Sequence, residues 1–279
     1  MGRLRRYSTA FGRYKRGKGF GIHSPFAFRF VLKVLRERNP YYAYAHLDTL
    51  RSLVIARTRH HLRHPRIISI KNAKIIFRVT NYFNPGTVLQ IGTSYGISSA
   101  SIMSVSSKSR LYLCEARLAE YPVTTDVLAD YRSRIEHFTD AAAGIDAYRE
   151  ALSTALASTG ITMNDAASSS AQATAISAER QASSHKGRGS DADWSKKPFV
   201  LINNLADDDE YAALSAYLSS LSGSEAVVIM RNLTRNELMR RLRSEFCEEA
   251  MSGMSFSNDK LAVFVINPKL PRQDFSIWF

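Results

Sequence analysis

VLQIGTSYGISSASIM, residues 88–103, reads as a buried strand, a glycine-containing turn and a helix in direct succession. The helix carries Ser98 and Ser99 in its first turn. Gly92 and Gly96 have no Cβ, so the backbone amides of the turn can come close to a ligand. In open parallel sheets ligands bind beyond the carboxyl ends of the strands. A G-x-x-x-G turn after a strand is only moderately specific alone. Its weight comes from the next apolar run, LYLCEA at 111–116, which ends in Glu115. A carboxylate there can accept hydrogen bonds from two ribose hydroxyls, as nucleoside-binding folds arrange it. The alternative is a solvated strand-end acid.

From Pro85 onward, short β-branched runs alternate with helical stretches, the pattern of a mostly parallel sheet with crossover helices. Strands are expected at 87–91, 111–114, 135–138, 199–202 and 226–230, with helices at 97–106, 125–134, 209–221 and 237–246. The chain closes with apolar runs at 254–256 and 260–266 around Asn258-Asp259, which predicts an antiparallel hairpin. Residues 157–190 are dominated by Ala, Ser, Thr and Gly with almost no large apolar anchor. They read as a disordered insertion, either a lid or an expanded neutral linker.

Upstream, residues 1–20 read as a flexible basic arm and 21–84 as a helical extension. GIHSPFAFRFVLKVL opens a helix with Ser24 as N-cap and Pro25 at the first helical position. His23 beside the cap is local structure, and the Phe26, Phe30 and Val34 stripe requires burial. Further helices are expected at about 45–62 and 71–82, with Tyr41, Tyr42 and Tyr44 packing the extension onto the domain. Residues 1–80 hold 19 Lys and Arg against Glu37 and Asp48, and the rest of the chain carries net −4 of the total +13. An arm with interleaved Tyr7, Phe11, Tyr14 and Phe20 can hold nucleic-acid phosphates, anionic lipid head groups or an acidic partner, or it is a solvated tail. His60, His61 and His64 lie among Arg57, Arg59, Arg63 and Arg66, which disfavours a metal and suits phosphate or RNA.

The 45% hydrophobic content is sufficient for one full core. No apolar run approaches the roughly 20 residues of a membrane-spanning helix. The basic N-terminus lacks the apolar core of a secretory signal, so a cytoplasmic location is expected. Cys114 and Cys247 form no C-x-x-C pair and read as core thiols.

QIGTSYGIS at 90–98 resembles the first motif of class I S-adenosylmethionine-dependent methyltransferases, in particular the O-methyltransferase-like group. GIHSPFAFRFV, IIFRVTNYFNP and the closing PRQDFSIWF resemble the corresponding segments of one branch of that group. The likeness spans most of the chain outside 140–197. It implies a Rossmann-like methyltransferase domain at 85–279, with a mostly parallel seven-stranded sheet and S-adenosylmethionine above the first two strands. It further implies that Gly92, Thr93, Ser94 and Gly96 line the methionine and ribose, that Glu115 holds the ribose hydroxyls, and that Asp140 or Ala141 lies near the adenine.

The departures concern charge. Gln90 stands where the family has a Glu facing the cofactor's ammonium group. LINN places Asn203 and Asn204 at an Asp-Gly motif, and MRNLTRN places Arg231, Asn232 and Thr234 at two acids and a histidine. Those acids bind a divalent cation in metal-dependent members, so no catalytic metal is expected here. Asp207, Asp208 and Asp209 open a helix and read as partners of its dipole. Three functions remain open: a metal-independent methyltransferase of unknown acceptor, a catalytically inactive pseudoenzyme acting as a scaffold, and a basic nucleic-acid-binding protein.

Overall fold

The computed structural model describes residues 14, 18–19, 21–59, 67–116, 122–164, 193–249, 252–258 and 260–279. Most of the basic arm, the histidine cluster at 60–64 and residues 165–190 of the expected insertion lie outside the described residues.

Five parallel strands form the centre: β1 (Thr87–Ile91), β2 (Arg110–Cys114), β3 (Ile135–Phe138), β4 (Phe199–Ile202) and β5 (Ala226–Arg231). β6 (Met254–Ser257) and β7 (Leu261–Ile266) form the expected antiparallel pair, with β7 against β5. The order is β3-β2-β1-β4-β5-β7-β6-β8. The sheet therefore has eight strands rather than the expected seven. The additional β8 (Gln273–Ser276) runs parallel to β6. Phe275 stacks on Phe256 at 5.3 Å, and Ile277 and Phe279 are buried, so apolar burial fastens this edge.

Between β1 and β4 the order reverses, which opens a crevice at the carboxyl ends. One face of the sheet is covered by the extension and by α4 (Ile97–Met103). The other is covered by α6 (Ala141–Asn164), α7 (Asp208–Ser220) and α8 (Glu237–Glu249). Helix α6 is absent from the sequence-based assignment because AAAGIDAYREAL has few large apolar residues. Among the described residues, Ile145, Tyr148 and Leu152 are the large side chains of its buried stripe. The helix continues to Asn164, into the segment expected to be disordered. The stretch expected as one helix at 125–134 divides into α5 (Pro122–Val127) and a 3₁₀ turn at Ala129–Arg134.

The extension comprises α1 (Pro25–Phe30), a π-helical turn (Val31–Leu35), α2 (Ala43–Thr58) and α3 (Ile70–Phe83). Ser24 Oγ caps α1 by accepting from Ala27 N at 3.3 Å. Phe30 is fully buried against Phe83 and Phe256, so the extension shares one core with β6. Buried Arg78 donates through Nε to Val34 O (2.6 Å) and through Nη2 to Leu35 O (2.8 Å), satisfying carbonyls the π-turn leaves open. Its Nη1 donates to Tyr44 Oη at 3.1 Å. Tyr41 and Tyr44 pack edge-on around Phe77 within the extension, and Tyr42 Oη donates to Ser104 O at 2.6 Å, beyond α4 of the domain. Among the described residues, no helix is long and apolar enough to cross a membrane.

Candidate functional site

The turn after β1 is tied to the neighbouring strands by backbone bonds. Gly92 N donates to Cys114 O (2.8 Å) and Asn203 N to Ile91 O (2.9 Å). Gly92 has φ +72°, and a Cβ there would lie 3.2 Å from Asn204 O. Gly96 has φ +78°, and a Cβ there would lie 2.9 Å from Val127 Cγ1. Both glycines are thus required by protein neighbours, apart from any ligand. Ser94 Oγ accepts from Ile68 N at 2.9 Å, which joins the turn to the segment before α3.

Glu115 stands immediately beyond β2. Its Oε2 accepts from Thr93 N at 2.9 Å, so the carboxylate is fixed across the β1 turn. Asp140 is exposed and caps α6, its Oδ2 accepting from Ala143 N at 2.8 Å. Gln90, Gly92, Thr93, Ser94, Gly96 and Glu115 are therefore gathered around the ends of β1 and β2. Asp140 follows β3, at the amino end of α6.

A second group occupies the ends of β4 and β5. Fully buried Gln90 donates through Nε2 to Gly92 O (2.9 Å) and Ser98 Oγ (3.4 Å). Asn203 Nδ2 donates to the same two acceptors, at 2.7 and 3.0 Å. Its Oδ1 accepts from Arg231 Nη1. Asn232, in the left-handed region at φ 56°, donates to Asn203 O at 2.8 Å. Asn236 donates to Asn204 Oδ1 (2.9 Å) and Leu205 O (2.8 Å). Gln90, Asn203, Asn204, Arg231 and Asn232 thus share one polar network, exposed Thr234 stands outside it, and Asn236 is a member that sequence reasoning missed. No residue-type signal marks it, since its role depends on the two loops lying side by side.

Two buried atoms of this network have no partner: Gln90 Oε1 and Arg231 Nε. Arg231 is 5% exposed, and burial pushes its guanidinium down to about 10. A guanidinium and neutral amides do not match the carboxylate oxygens that hard divalent cations require. Asp207 Oδ1 instead accepts from Glu210 N (2.9 Å) and Glu210 Oε2 from Ala206 N (2.7 Å), a reciprocal cap at the start of α7. That is the helix-terminal role expected for the acidic run.

No protein-family model matches the chain, and no curated protein matches it. Among solved structures, similarity is found to the cofactor-bound Rv0187 from MTB (16% identity, 82% of this chain and 98% of that one, TM-score 0.46). An O-methyltransferase from Bacillus cereus in complex with SAH matches at 17% identity over 85% of this chain and 96% of that one, TM-score 0.46. A caffeoyl-CoA O-methyltransferase-type protein from Staphylococcus aureus matches at 11% identity over 86% and 98%, TM-score 0.44. The fold assignment is carried by the sheet itself. Its order, with β7 inserted antiparallel between β5 and β6, is that of a Rossmann-like methyltransferase domain with one added edge strand.

Proposed function

We propose that this chain is an S-adenosylmethionine-binding, metal-independent methyltransferase whose cofactor lies over the carboxyl ends of β1 and β2. The observation that carries the reading is Glu115, held at the end of β2 by Thr93 N across the glycine turn. It is the carboxylate that a nucleoside ribose needs at this place. Asp140, at the start of α6, is assigned to the adenine side. When bound, S-adenosylmethionine supplies an activated methyl group, so the protein's contribution is orientation and exclusion of water. The β4 and β5 loops, stapled by Asn203, Asn232 and Asn236, form the wall against which an acceptor is placed.

A second reading is a pseudoenzyme that keeps the cofactor crevice as a scaffold. Arg231 favours it, because a cation stands where metal-dependent members of the resembled group carry an acid that binds the divalent ion polarising the acceptor hydroxyl. The basic arm belongs to either reading as a surface for an anionic partner.

Calorimetric titration of the full chain with S-adenosylmethionine, with and without magnesium, tests the proposal. Magnesium-independent binding should weaken about 10–100-fold in Glu115→Ala, the scale of a charged hydrogen-bond pair. Glu115→Gln should weaken it less, since an acceptor for Thr93 N remains. Absence of binding at millimolar cofactor would leave only the scaffold reading. Binding without methylation of any acceptor class would favour the pseudoenzyme.

A further inference from the structure

We infer that the carboxyl end of β5 is an anion site, centred on Arg231, which takes a carboxylate or phosphate group of the methyl acceptor. Its assignment to an acceptor rests on the methyltransferase reading above; the anion site itself does not.

The argument begins with charge. A buried guanidinium is stable when a carboxylate or phosphate neutralises it, because desolvation of an unpaired cation costs several kcal/mol, on the order of what a buried pair recovers. Arg231 is 5% exposed and has no ion-pair partner among the described residues. Among the described residues its one acceptor is the neutral amide oxygen of Asn203. The groups linked around it are Asn203, Asn232, Ser98 and Gln90, and none carries negative charge.

The second step is geometry. Nη1 is committed to Asn203, and Nε is enclosed without an acceptor. Nη2 has no acceptor among the described residues and, unlike Nε, is not fully enclosed, so it is the nitrogen left for a ligand. Arg231 is the last residue of β5, pairs with Leu261 and bonds Asn203 just beyond β4, so the guanidinium stands at the carboxyl edge of the sheet. Asn203, itself bonded to Gly92 O and Ser98 Oγ, holds the guanidinium through Nη1. An anion docking there meets a cation in a low-dielectric setting, where attraction is several-fold stronger than in water.

The same replacements account for both features. Carboxylates at 203 and 232 would neutralise Arg231 within the protein. Asparagines keep the hydrogen bonds to Gly92, Ser98 and the β4 loop and leave the positive charge for a ligand. Where a metal-dependent relative binds a cation that in turn binds an acceptor hydroxyl, this chain presents the cation as a side chain. A guanidinium engages an anionic group directly and with directional donors. The anionic group could instead be the cofactor's own methionine carboxylate, and the experiment separates the two.

Full-length wild type, Arg231→Gln and Arg231→Lys are titrated with inorganic phosphate and with benzoate against sodium chloride of equal ionic strength, by thermal shift and calorimetry. Arg231→Gln retains a donor for Asn203 but no charge. Expected is anion-specific stabilisation of wild type, at least 10-fold weaker phosphate binding in Arg231→Gln, and retention within a few-fold in Arg231→Lys. Wild type is then saturated with S-adenosylmethionine and titrated again. Undiminished anion binding assigns the site to the acceptor, whereas competition assigns Arg231 to the cofactor carboxylate and overturns the acceptor assignment. An equal response of wild type and Arg231→Gln, or none beyond chloride, overturns the anion site. Loss of anion binding in Arg231→Gln from a protein that fails to bind S-adenosylmethionine keeps the site and removes the methyltransferase reading.

Discussion

Replacing Gly144 with alanine sets two physical effects against each other within the first turns of α6. Helix propensity alone favours the change by about 1 kcal/mol, since glycine is the poorer helix former. The packing opposes it. A Cβ at Gly144 would lie 2.2 Å from Cys114 Sγ and 3.3 Å from Phe138 Cβ. Cys114 is 1% exposed and closes β2 immediately before Glu115, so its thiol has little room to retreat. Overpacking of this kind costs roughly 1–3 kcal/mol, and after the propensity gain we expect Gly144→Ala to destabilise by about 1–2 kcal/mol. For a domain of this size that lowers Tm by roughly 2–8 °C. The assay is urea unfolding followed by circular dichroism, with Cys114→Ala and the double variant completing a cycle. Removing Sγ vacates the space that Cβ needs, so the double variant should recover about 1–2 kcal/mol relative to additivity. Because α6 leans on the residue beside Glu115, the single variant should also weaken S-adenosylmethionine binding. A Gly144→Ala protein stabilised by about 1 kcal/mol, with no coupling to Cys114, would refute the reasoning.

Arg78→Met should uncover the Val34 and Leu35 carbonyls and cost about 3 kcal/mol, with hydrogen exchange quickening first in residues 25–35. Phe30→Ala empties a fully enclosed site between the extension and β6, and a loss of about 3–5 kcal/mol in a single cooperative transition is expected. Two separate transitions would show that the extension folds independently. Gly92→Ala forces a side chain into φ +72° with Cβ 3.2 Å from Asn204 O, so it should cost about 1–3 kcal/mol even without cofactor. A variant with unchanged apo stability would return that glycine's role to ligand approach. In alkali, burial pushes the Cys114 thiol up to about 12 and raises Tyr148 well above its ordinary value. Between the ordinary thiol value and the folded one, the unfolded chain gives up a proton that the folded chain keeps. Stability therefore falls as pH rises above about 9, by up to about 1.4 kcal/mol per pH unit for Cys114. Cys114→Ala should flatten that slope in urea midpoints measured from about pH 8.5 to 10.

The strands were legible because each is a short β-branched run bounded by turn residues. Those at 87–91, 135–138 and 199–202 keep their bounds, and the others shift by one residue at an end. The cap at Ser24 and Pro25 was equally visible, being local chemistry between neighbours in the chain. Helix α6 was not, since Ala and Gly fill its surface and three spaced apolar residues are too weak a periodic signal. The edge strand β8 was hidden because four residues with one buried side chain become a strand only when β6 presents an open edge. At the site, the glycine turn and the acid after the second strand could be located from spacing alone. The resemblance also marked 203, 231 and 232 as places where acids are expected, but only as missing chemistry.

By itself, then, the sequence determined the strand and turn positions, the gathering of Gly92 and Glu115 at neighbouring strand ends, and the uncharged or basic residues at the β4 and β5 termini. Local backbone preferences and hydrophobic period are written in residues adjacent along the chain, and they need no partner to be read. Tertiary structure alone decided what the changed residues do. Asn203 and Arg231 are 28 positions apart, and Gln90 and Asn203 meet through Ser98 and Gly92 O. Whether a buried cation is neutralised depends on every group that packs around it, and that set exists only once β1, β4 and β5 lie side by side.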